Sequence, residues 1–97
     1  MMPPVGALEQ EYQQALASAD HRVAAETAYA LAMRAMEASN YDDAHRYANE
    51  CLAEVERLPS STLDDVAATR THAGGVPLPD YFHEGVVRER LGGLLDR

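Results

Sequence analysis

From Tyr41 onward the apolar and small residues step by three and four without a break: Tyr41, Ala44, Ala48, Cys51, Val55 and Leu58. That spacing puts all six on one stripe of an α-helix. Pro59 ends it, because its ring cannot continue a helix and disfavours helical geometry in the residue before it. Asn40 stands ahead of the stripe as an N-cap, and Asp42-Asp43 in the first turn suits the positive end of the helix dipole. A preceding helix over residues 21–38, capped by Asp20, carries Ala24, Ala28, Leu31, Ala32 and Ala35 on one face. Small faces let another backbone approach closely, so the two helices read as a tight hairpin.

The segment Ala25–Pro59, AETAYALAMRAMEASNYDDAHRYANECLAEVERLP, resembles one tetratricopeptide repeat, a helix–turn–helix unit of about 34 residues. Leu31-Ala32 stands where that family has Leu followed by a small residue, and Ser39-Asn40-Tyr41 where it has its Gly-Asp-Tyr turn. Ala44 matches the small residue of the second helix, Cys51 replaces a late alanine, and Pro59 matches the closing proline about three residues late. Ala28, Ala35 and Ala48 depart from the pattern, falling where the family prefers large aromatics. The resemblance implies a module that binds other proteins and does no chemistry of its own.

The remaining segments also read as helical. Leu8, Tyr12, Ala15, Leu16 and Ala19 recur at helical spacing over about 4–19, with Pro3 and Pro4 tolerated at the start. Ser61 or Thr62 with Asp64 or Asp65 forms a capping-box variant, opening a short fourth helix with Leu63, Val66 and Ala67 inward. Gly74-Gly75 ends that helix and begins an extended connector, residues 74–79, shaped by Pro77 and Pro79. A fifth helix over 80–95 carries Phe82, Val86, Val87, Leu91, Leu94 and Leu95, weakened near its end by Gly92-Gly93. No strand is expected. The expectation is an all-α fold of about five helices in one domain, 1–97: the tetratricopeptide-like hairpin (25–59), an N-terminal packing helix, and a degenerate C-terminal hairpin or cap. A lone repeat cannot bury both its faces, so either these flanking helices or a second copy of the chain must cover them.

Charge narrows the function classes. Sixteen acidic residues face eight basic ones, all arginine, for a net charge of −8. Such a field disfavours nucleic acid and anionic membranes, since phosphate binding needs clustered cations. No apolar run is long enough to span a bilayer, and Met1-Met2-Pro3-Pro4 lacks the basic start and apolar core of a signal peptide. The single Cys51 has no partner for an internal disulfide, which points to a reducing cytoplasm.

Catalytic and metal signatures are weak. His21, His45, His72 and His83 are scattered, and no HExxH, ExxH pair or CxxC assembles the three or four converging ligands that zinc requires. Cys51 lies on the core stripe, where a nucleophile would need exposure and a basic partner. Gly74-Gly75 lacks the following Lys-Ser/Thr of a phosphate loop. The expectation is therefore no enzyme, no cofactor and no metal.

In the family the ligand groove is lined by the outward stripe of each repeat's first helix. By position the resemblance places that stripe at Glu26, Tyr29, Met33 and Met36, with Glu37 at its edge. A Tyr/Met surface suits adaptable apolar binding, because Met repacks around different shapes. The other reading is that the first or the C-terminal helix covers this stripe as ordinary core. Some members grip a peptide's terminal carboxylate with Lys, Arg and Asn on this stripe, and Glu26, Tyr29 and Met33 argue against that use here. The connector is a second candidate: Val76 and Leu78 are apolar, and Tyr81-Phe82 follows. It either plugs the gap beside the hairpin or presents an apolar edge to a partner or a second subunit. The function expected is a self-associating protein–protein interaction module. The alternative is a small acidic accessory or inhibitor protein that occupies a basic surface of another protein.

Overall fold

A computed structural model of the chain describes residues 5–58 and 66–95. Among them are four helices: α1 (Val5–Ala17), α2 (His21–Glu37), α3 (Tyr41–Glu56) and α4 (Glu84–Leu95). Between α3 and α4 lie four two-residue strands, β1 (Val66–Ala67), β2 (His72–Ala73), β3 (Val76–Pro77) and β4 (Tyr81–Phe82). The fold is mainly helical, with α2 and α3 packed as a hairpin and α1 against α2.

The two turns between the first three helices share one construction. Ala19 and Ser39 each adopt a positive φ, 55° and 61°, which only glycine takes without steric cost. The next residue, Asp20 or Asn40, sends its amide back to a carbonyl of the finished helix, Ala15 or Ala35. Its side chain then caps the new helix by accepting from Val23 N or Asp43 N.

Helix α2 is the centre of the molecule. Every residue from Ala24 to Ala32 is buried, so the helix is covered on all sides and not on one face alone. On one side sit Leu8, Tyr12 and Ala15 of α1; on another sit Ala44, Ala48, Cys51 and Val55 of α3. Tyr12 meets the ring of Tyr47 edge-on at 6.0 Å and donates its hydroxyl to Glu50 Oε1 at 2.7 Å. Leu16 and Tyr41, both expected inward, instead lie exposed at the rims of this core.

The C-terminal third corrects the expected helices. The start of the expected fourth helix, with Leu63, lies outside the described residues; from Val66 on the chain is extended, and Ala67 is exposed. Gly74 and Gly75, at φ 55° and 83°, form the two-residue turn of a β-hairpin in which His72 pairs with Pro77 and Ala73 with Val76. Two successive positive φ values match the twist that short hairpins need, and a Gly-Gly pair supplies them without strain. Phe82 and Tyr81 pair with Val66 and Ala67, which holds residues 80–82 in a ladder, and α4 begins only at Glu84. Both ladders together make residues 66–82 a strap across α2, while Val87, Leu91 and Leu94 of α4 close the core beside α3.

Candidate functional site

The stripe expected to line a groove runs along the side of α2 that the strap crosses. Glu26 is completely buried, and its carboxylate accepts from Thr69 N at 2.5 Å and from Thr69 Oγ1 at 2.6 Å. Arg70 brings its Nε within 3.4 Å of Glu26 Oε1, close enough for charge attraction but without hydrogen-bond geometry. The same guanidinium donates through Nη2 to Glu11 of α1. One buried carboxylate thus gathers a backbone amide, a hydroxyl and a cation, all from the strap. A buried ionised group needs such partners, since alone it costs far more than it returns.

One turn further on, Tyr29 is buried with its ring edge-on to Phe82 at 6.0 Å between centroids. Phe82 is only 1% exposed, and Val76 and Leu78 are buried in the same core. Arg34 then reaches across and donates through Nη2 to the Gly74 carbonyl. Gly74 also seats the strap sterically, because a Cβ there would meet Leu8 Cδ1 at 2.7 Å. The strap therefore follows α2 from Glu26 to Arg34 by alternating polar anchors with apolar plugs.

This arrangement corrects the picture of an open stripe. Glu26 and Tyr29 are buried, Met33 is half-buried against the core, and only Met36 and Glu37 stand exposed at the far end. Of the connector residues, Val76, Leu78 and Phe82 point into the protein, while Tyr81 is 50% exposed. The cover comes from the strap and not from a helix. Sequence reasoning missed Thr69, Arg70 and Arg34, which carry the polar half of the contact, because Glu26 read as facing outward and so as needing no partners.

Elsewhere the charged groups are arranged for packing. Glu54 is buried at the α2–α3 seam, with His21 Nδ1 at 2.6 Å and Arg57 Nη1 at 3.0 Å. Cys51 is fully buried, its Sγ donates to the Ala25 carbonyl at 3.3 Å, and burial pushes its thiol far above the usual range. Among the described residues no group of three or more His, Cys, Asp or Glu side chains could hold a metal ion. A cleft of about 140 Å³ lies among Leu31, Arg34, Ala38 and Tyr47, and a shallow depression of about 640 Å³ lies among Gly6, Glu9, Gln10, Gln13, Gln14 and Tyr47. Of the described helices none is long and apolar enough to cross a membrane. No family model matches the sequence, and neither a curated protein nor a solved structure matches it.

Proposed function

We propose that the protein is a non-catalytic, self-associating protein–protein interaction module of the cytoplasm, tetratricopeptide-like in its α2–α3 hairpin. The observation that carries this reading is the seating of an extended segment, the strap, along the outward stripe of α2. A face that takes Thr69, Arg70 and Phe82 through one buried carboxylate and one aromatic ring has the chemistry to receive polypeptide. Exposed Leu16, Met36, Tyr41 and Tyr81 supply further apolar contact area at the edges.

The acidic-inhibitor reading keeps one supporting observation. Arg46, Arg57, Arg70 and Arg88 are each within ion-pair distance of acidic groups of the same chain, so the excess negative charge is left to face outward. Light scattering at micromolar concentration, repeated at low and high salt, separates the two. The module reading expects twice the 10.6 kDa chain mass at both salt concentrations, because buried contacts are little screened. A monomer at every concentration, joined to a polycation only at low salt, would favour the inhibitor and sink self-association.

A further inference from the structure

The outer side of α1 is built from residues that the core does not use. Leu8, Tyr12 and Ala15 face inward, while Glu9, Gln10, Gln13 and Gln14 are exposed. With Gly6 and with Tyr47 of α3 these four line the shallow depression of about 640 Å³. Ligand sites span ~300–1,000 Å³, so the volume is sufficient. Its open form suits a chain passing along the surface better than an enclosed small molecule. Glu9 and Tyr47 also border the smaller cleft that reaches Asn40 and Asp43, so the two hollows share a wall.

Tyr47 shows which chemistry this wall favours. Arg46 lays its guanidinium 4.6 Å from the centre of the Tyr47 ring, with Asp43 and Glu50 oxygens each 3.7 Å from its nitrogens. A planar cation is thus held by an aromatic face and flanking carboxylates, a setting that suits guanidinium better than ammonium. Glu9 adds a carboxylate to the same depression, and among the described residues no cation lies within ion-pair distance of it. The carboxamides of Gln10, Gln13 and Gln14 can each donate and accept, as a peptide main chain does. The net charge of −8 draws a basic segment to this surface.

We propose that this depression binds an extended, arginine-bearing segment of another protein. The arginine sets its guanidinium between Glu9 and Tyr47, and the adjoining main chain lies along the three glutamines. The surface goes beyond self-association and does not depend on it, because none of these residues seats the strap on α2.

Gly6 and Glu9 offer the test, one through shape and one through charge. A Cβ at Gly6 meets no atom within 4 Å, so Gly6→Leu occupies the depression without striking its own chain, and leucine favours the helix over glycine. The full-length protein, labelled with nitrogen-15, is titrated with the peptide Gly-Ser-Arg-Gly-Arg-Ser-Gly while its amide shifts are followed. Saturable shifts are expected at Glu9, Gln10, Gln13, Gln14 and Tyr47. Gly6→Leu should abolish them with helix content unchanged. Glu9→Gln should weaken binding about threefold to fivefold, the upper range for an exposed ion pair. Glu89→Gln, an equal charge change on exposed α4 positions, should leave binding as it was. Counterpart peptides with lysine or glutamate in place of arginine should bind more weakly and not at all, respectively. No saturable shifts, shifts centred elsewhere, an unaffected Gly6→Leu, equal losses in Glu9→Gln and Glu89→Gln, or equal binding of either counterpart would each overturn the proposal. So would shifts of these same amides on dilution without peptide, since a second copy would then cover the face. Light scattering that finds only monomer removes self-association and leaves this surface standing.

Discussion

Phe82→Ala is expected to lower stability by about 3–5 kcal/mol, the range for removing a large aromatic from a packed core. Phe82 is buried, meets Tyr29 edge-on, and holds the end of the ladder to Val66. Its loss would open the strap along the apolar half of its contact with α2. Single domains are stable by only about 5–15 kcal/mol, so the variant should unfold near room temperature or melt well below the parent chain. The neighbouring Tyr81→Ala is the comparison. Tyr81 is 50% exposed, and its truncation should change stability by less than about 0.5 kcal/mol. Urea titrations of both variants check the pair, and equal losses would mean that the strap does not lie as described.

Arg70→Ala addresses the polar half and should cost about 2–4 kcal/mol, because it strips a cation from a buried carboxylate. The lower end is expected, since about a third of the Arg70 side chain (34%) is in solvent and Thr69 still donates to Glu26. In a Glu26→Gln background the same change should cost about 1 kcal/mol or less. The glutamine oxygen still accepts from Thr69 N but carries no charge to be left unpaired. Four urea titrations complete the double-mutant cycle. Additive losses would show that Arg70 and Glu26 are not coupled.

The hairpin was legible because its signals are local. Asp20 and Asn40 cap α2 and α3 as read, and α2 ends one residue before the expected position. Ala44, Ala48, Cys51 and Val55 all face the core because a 3.6-residue period needs no knowledge of distant segments. The C-terminal third was not legible in the same way. Strands of two residues are too short to display an alternating pattern, and Gly74-Gly75 was read as a helix stop although it equally specifies a hairpin turn. The α2 stripe failed for a further reason. Periodicity places Glu26 away from the alanine face, but whether that side meets water depends on Thr69, 43 residues later in the chain.

The central claim is that the outward stripe of α2 is filled by the chain's own strap. Proton nuclear Overhauser contacts between the Tyr29 and Phe82 rings, read with exchange of the Thr69 amide, test it most directly. The account expects ring-to-ring contacts, as the centroids are 6.0 Å apart, and a Thr69 amide slowed in exchange by its bond to the buried Glu26 carboxylate. A Thr69 amide exchanging at the rate of an unfolded chain, with no contact between Tyr29 and Phe82, would contradict it.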